Sequence, residues 1–187
     1  MLKSSPTKRS IISWLACALC LYASQAAADW RSALPEENLV GQADFRLYGF
    51  HVYEAQLWSS VAAPDLTSPL ALELIYQRSI DKQTLIDTSL DEMRRLADGD
   101  LYRRQSAVWT THMHRSFVDV KPGSRLTGVY LPDIGCRFYV DGRLQHEVDD
   151  PVFAKHFFAI WLSPKTRHPE LREQLLGLNN AHNAGAR

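Results

Sequence analysis

Cysteine is scarce in this chain: there are three in 187 residues, and two of them, Cys17 and Cys20, fall within the first 28 positions. Without that segment only Cys136 is left, so no intramolecular disulfide is expected and stability has to come from packing. Cys136 stands between Gly135 and Arg137 in an expected strand, with no neighbouring motif to activate it, and reads as a buried, inert thiol. Net charge is also lacking, at 21 basic against 21 acidic residues. This balance excludes a general electrostatic pull toward nucleic acid. Beyond residue 28 there is no Gly-x-Ser-x-Gly, no glycine-rich phosphate loop and no His-Glu-x-x-His, which argues against a serine hydrolase, a nucleotide-dependent enzyme and a zinc peptidase.

Only one long apolar run is present, from Ile11 to Ala23, and it is too short for a comfortable membrane span. Lys3, Lys8 and Arg9 precede it and Ala26-Ala27-Ala28 follows, which is the layout of a secretory signal peptide with its cleavage site. The expected organisation is a signal peptide over 1–28, a domain over 29–178 and a flexible C-terminal tail over 179–187, with periplasmic delivery. Cleavage after Ala28 leaves 159 of the 187 residues, enough for one domain with a real core. It also removes three cations, leaving 18 basic against 21 acidic residues and a net charge near −3. No transmembrane segment is expected after cleavage.

The most informative stretch runs from Asp149 to Thr166. Asp150 suits an N-cap and Pro151 the first helical position, so a helix starts here. From Val152 to Leu162 only Lys155 and His156 are polar, which marks a helix enclosed by other elements. Earlier in the chain, Leu39 to Trp58 reads as two strands around Gly49. Val61 to Pro69 reads as a loop, and Leu70 to Tyr76 as a strand with Leu70, Leu72, Leu74 and Tyr76 on one side. Asp81 caps an expected helix from Lys82 to about Ala97, closed by Gly99, and a second helix covers Leu101 to Phe117. Ser124 to Leu131 and Cys136 to Val140 read as strands, and Asp141-Gly142 signals a tight hairpin into Arg143 to Val148. Pro169 to Leu176 is a short helix ended by Gly177. Strands, two helices, strands and two helices in that order specify an α+β fold.

Seven histidines raise the question of a metal. On a helix, His112 and His114 point in nearly opposite directions, and no cysteine cluster accompanies them, so no metal or cofactor is expected. Aromatic density with scattered cations remains. Tyr53, Trp109, Phe157 and Trp161 are candidates to line an apolar pocket, together with Tyr48, Trp58 and Tyr76. Arg46 and Arg78 are candidates to hold a ligand carboxylate, because a guanidinium suits two-pronged binding of that group. The alternative is an ordinary aromatic core with arginines reaching the surface.

Several segments together resemble the chalcone isomerase-like proteins of bacteria, an exported branch of the chalcone isomerase fold. They are Val52-Tyr53-Glu54-Ala55-Gln56-Leu57-Trp58, Leu72 to Ile80, Phe153-Ala154 with Phe157 to Leu162, Pro169-Glu170-Leu171-Arg172, and Leu175-Leu176-Gly177. The resemblance implies an open-faced β-sandwich, a curved antiparallel sheet covered on one face by a layer of helices. Plant members close a flavanone ring, and related proteins without that activity bind fatty acids between sheet and helices. Both hold an anionic group with an arginine on an early strand, helped by Tyr or Thr. The plant pattern Gly-x-Arg is not met here: Gly41-Gln42-Ala43-Asp44-Phe45 intervenes before Arg46, and a one-residue shift on a strand reverses the face.

The expected function is a periplasmic, non-catalytic binding protein with a cleft for a lipid-like or apolar carboxylate, a small fatty-acid-like ligand. Arg46, Tyr53, Arg78, Trp109, Phe157 and Trp161 are the ligand-binding candidates, and no catalytic residue is assigned. Two alternatives stand beside it. One is an isomerase or lyase that uses Tyr53 and an arginine to stabilise an oxyanion. The other is a structural or partner-binding module whose cleft is filled by its own side chains.

Overall fold

The computed structural model describes residues 29–34 and 36–178; the expected signal peptide and C-terminal tail lie outside the described residues. Six strands, β1 (Asn38–Leu47), β2 (Phe50–Ser59), β3 (Leu70–Tyr76), β4 (Arg125–Leu131), β5 (Gly135–Val140) and β6 (Arg143–Val148), form one sheet in that order. Every neighbouring pair is antiparallel. Helices α1 (Lys82–Leu96) and α2 (Gly99–Ser116) join β3 to β4, while α3 (Pro151–Leu162) and α4 (Pro169–Leu175) follow β6. The fold is therefore α+β, an open antiparallel sheet with its helices gathered on one face.

Local chemistry sets these boundaries. Tyr48 and Gly49 adopt φ of 51° and 83°, and Asp141 and Gly142 adopt 48° and 79°, the left-handed pairs that two-residue hairpin turns require. Asp150 accepts from the amides of Val152 at 3.0 Å and Phe153 at 2.9 Å, and Pro151 occupies the first turn of α3. Asp81 caps α1 by accepting from the Thr84 amide at 2.8 Å. One sequence expectation is corrected here: Gly99 does not close α1. The helix stops at Leu96 with Ala97 extended, and Asp98 caps α2 by accepting from Asp100 and Leu101, so that Gly99 is the first residue of α2.

On the helix-covered face, Leu72, Leu74 and Tyr76 of β3 meet Leu126 of β4 and Phe138 of β5 in one core. Into it α3 inserts Phe153, Ala154, Phe157, Phe158, Trp161 and Leu162, all buried. Burying each large side chain contributes about 1.5–3 kcal/mol, which accounts for the apolar circumference of this helix. Two close approaches fix where the helices sit. A Cβ on Gly128 would lie 2.8 Å from the Phe158 ring, so α3 reaches β4 because no side chain stands there. A Cβ on Gly41 would run into the backbone carbonyls of Gln174 and Leu175, so the end of α4 lies directly on β1.

The other face of the sheet is not bare. A 3-10 turn, Trp30–Ala33, lays Trp30 against Ala71, Val129 and Tyr139, and the Arg31 guanidinium stacks 4.3 Å over Trp30 and 5.0 Å over Trp58. Beside this patch Glu73 is only 5% exposed. Its carboxylate accepts from Arg125 at 2.8 Å and from the Thr127 hydroxyl at 3.2 Å, which satisfies the buried charge.

Candidate functional site

Between the sheet and the helices lies a cavity of about 240 Å³. Strand parity builds its floor: Phe45 on β1, Tyr53 on β2, Leu74 and Tyr76 on β3 and Leu126 on β4 all point to the helix side. Helix α3 supplies Phe157, Ile160 and Trp161, and α1 supplies Leu85. The spacing of four places Phe157 and Trp161 on one side of α3, with their rings 5.4 Å apart.

Few polar groups reach this interior. The Trp161 indole Nε1–H donates to the Tyr53 hydroxyl at 3.1 Å. Burial pushes the Tyr53 and Tyr76 hydroxyls well above the ordinary phenol range, and their mutual proximity adds to the effect at Tyr76. Both stay neutral, so they offer hydrogen bonds and no charge.

The mouth is polar. Thr84, Thr88, Ser89 and Glu92 form one stripe of α1 along it, and His168 faces them. Glu92 is held between Arg95 at 2.9 Å and Arg167 at 2.9 Å, and Arg95 also donates to the Lys165 carbonyl. The mouth's cations are thus tied to an acid on α1. A shallow polar depression adjoins the mouth, sharing Phe45 and His168 with the cavity, and its other polar lining is Asp44, Arg46, Arg167, Glu170 and Gln174.

Of the six residues expected to bind ligand, the cavity brings together Tyr53, Phe157 and Trp161. Arg46, Arg78 and Trp109 lie outside it. Arg46 follows an irregularity in the β1–β2 register after Phe45, and its half-exposed guanidinium sits 3.5 Å from Asp44 in the adjoining depression. Arg78 lies beyond the end of β3 and stacks 4.6 Å over the Phe50 ring at the surface. Trp109 is fully buried between the rings of Tyr102 and His156, at 6.0 and 5.3 Å, where α2 meets α3. Phe45, Leu74, Leu85, Leu126 and Ile160 also line the cavity and are not among the candidates; the periodicity that sets Leu74 and Leu85 on an apolar side does not reveal a hollow there.

Burial pushes the Cys136 thiol up, and it is 2% exposed. His112 is half-buried, 3.5 Å from Asp150, while His114 is exposed, and no group of three His, Cys, Asp or Glu among the described residues is arranged to hold a metal. Ser79 and Lys82 stand in the Ser-x-x-Lys spacing of some acyl-transfer enzymes, but neither lines the cavity. No helix among the described residues is long and apolar enough to cross a membrane.

Comparison with known proteins bears on fold and family. No curated protein matches this chain. The crystal structure of a fatty-acid binding protein from Arabidopsis thaliana matches with a TM-score of 0.53, covering 75% of this chain and 87% of that one at 9% identity. At that identity the likeness is one of fold. The family model described as chalcone isomerase-like matches residues 43–177, from within β1 past the end of α4. With that span including α1 to α4 and most of the sheet, the chain belongs to the chalcone isomerase-like family.

Proposed function

We propose that this protein is a periplasmic, non-catalytic carrier of a lipid-like molecule with a carboxylate head, its apolar part held in the cavity between sheet and helices. The observation that carries this reading is the cavity itself: about 240 Å³ of space walled by Phe45, Leu74, Leu85, Leu126, Phe157 and Ile160, with uncharged Tyr53 and Tyr76 as its buried polar groups. A charged head has no partner inside, and an unpaired carboxylate there costs several kcal/mol. It therefore stays at the mouth, where the depression next to Phe45 and His168 carries Arg46 and Arg167; each pairs with an acid, Asp44 and Glu92, through one nitrogen and keeps further N–H donors for a ligand. The fatty-acid binding protein with the same fold supports this choice of ligand class. The amino-terminal signal pattern supports export.

The isomerase alternative needs a cation beside Tyr53 to stabilise an oxyanion. Arg46 and Arg78 both point away from the cavity, which favours binding over that chemistry. The open space favours it over a cleft filled by its own side chains.

The test is displacement of a fluorescent fatty acid from the purified protein by palmitate. Replacing Leu85, a half-buried wall residue, by tryptophan fills the cavity and abolishes uptake while the protein stays folded. Equal uptake by Leu85→Trp contradicts the reading.

A further inference from the structure

Beyond the ligand, the tip of the β1–β2 hairpin has an exposure that the fold does not require. Tyr48 is 92% exposed, Phe50 59% and Leu47 46%, three consecutive large apolar positions broken only by Gly49. The left-handed turn at Tyr48 and Gly49 holds them outward on a rigid two-residue connection. Single exposed apolar side chains are ordinary, whereas a contiguous cluster of large ones marks a contact surface. Here none is buried, although each strand leading to the tip is well paired.

We propose that this tip docks the protein on the surface of a phospholipid bilayer with anionic head groups. Shape is the first argument. A stable protein interface covers about 800 Å² on each partner, which three side chains radiating from a convex turn do not supply. A deformable lipid interface accepts such a tip. Chemistry is the second. Tyrosine suits the head-group boundary, with an apolar ring and a wet hydroxyl, and phenylalanine supplies the apolar side chain that enters below it. The Arg78 guanidinium, stacked 4.6 Å over Phe50, lies where a lipid phosphate would meet it as the ring enters. The nearest acid in this groove is Asp81, whose oxygens are occupied by Thr84 at the start of α1.

Continuity is the third argument. Leu47, Val52, Ile80 and Thr84 line both the groove beneath the tip and the cavity. Docking through Tyr48 and Phe50 therefore brings the Thr84 end of the cavity next to the bilayer, the place from which a lipid-like molecule is taken or to which it is delivered. The docking itself does not depend on what the cavity holds.

The experiment is flotation of the soluble purified protein with vesicles of phosphatidylcholine containing phosphatidylglycerol. The wild-type chain floats with the vesicles. Tyr48→Ser combined with Phe50→Ser lowers the bound fraction about tenfold, while its thermal transition and fatty-acid uptake are unchanged because both side chains are exposed and neither lines the cavity. Arg78→Glu lowers it on the same vesicles several-fold. A wild-type protein that stays with the unbound fraction, or equal flotation of either variant, overturns the proposal. So does light scattering that shows a wild-type dimer broken by the tip substitutions, which makes the tip a contact between copies of this chain. Loss of fatty-acid uptake with flotation retained counts against the carrier function alone.

Discussion

The Trp161 indole donates to the Tyr53 hydroxyl at 3.1 Å, a bond between residues 108 positions apart. It ties the buried helix α3 to β2 across the wall of the cavity, and it occupies a tyrosine that would otherwise face an apolar space. The two residues share their surroundings with Phe157, whose ring lies 5.4 Å from that of Trp161. Stability and ligand space therefore depend on the same side chains.

Tyr53→Phe removes the acceptor and leaves the Trp161 Nε1–H without a partner in a buried place. The expected loss is about 1–3 kcal/mol, read as a lower urea midpoint at unchanged slope. Pairing it with Trp161→Phe gives less than the sum of the two single effects, since the second change removes the stranded donor. Additive losses contradict the bond.

Gly128→Ala places a methyl group 2.8 Å from the Phe158 ring tip and costs about 1–3 kcal/mol through overpacking. Phe158→Leu shortens the opposing side chain, so Gly128→Ala costs less in that background. Equal cost in both backgrounds shows that α3 does not rest on β4 here.

Recognition of the head group is tested by comparing a fatty acid with the alcohol of the same length. Arg46→Ala combined with Arg167→Ala weakens the acid about tenfold, the equivalent of about 1.4 kcal/mol, and leaves the alcohol unchanged. The two ligands responding alike to these substitutions would place the carboxylate elsewhere.

Acid stability has a contribution from His112. Burial lowers its pKa below the usual histidine value, outweighing the opposing pull of Asp150 3.5 Å away. The folded state therefore holds fewer protons than the unfolded chain in the interval just below about pH 6.5. Its contribution is fully present above that pH and is lost as pH falls through the folded value. Between pH 7.5 and 5.5 the urea midpoint of the wild type drops more than that of His112→Asn. Parallel curves for the two proteins refute this assignment.

Much of the fold was legible because its signals are local. Asp150 before Pro151, Asp81 before α1, and the Tyr48-Gly49 and Asp141-Gly142 turns are each decided by a few neighbouring atoms. The boundary at Gly99 was misread because Asp98 is a cap for the next helix, and a lone glycine between two helices is compatible with either an end or a start. The site was legible in part. Phe157 and Trp161 follow from helical spacing, and Tyr53 from aromatic density alone, since the alternation from Leu39 to Trp58 is imperfect. Trp109 obeys the same periodicity as a pocket residue, but what lies across from a helix face depends on tertiary packing, and His156 of α3 sits there. Arg46 shows the limit of parity on a strand: beside an inward-facing Phe45, and past a break in register, it faces the outer depression. The Trp30 turn on the second face had no local signal, since an aromatic near the chain start is silent about the sheet it will cover.

The central claim, that the cavity holds a lipid-like molecule, is tested most directly by native mass spectrometry of the protein purified from the cells that express it. The expected spectrum shows the folded chain carrying an additional apolar mass that appears as a free carboxylic acid after denaturation and extraction. A spectrum of the bare chain, with no mass gained on incubation with a panel of fatty acids, contradicts it.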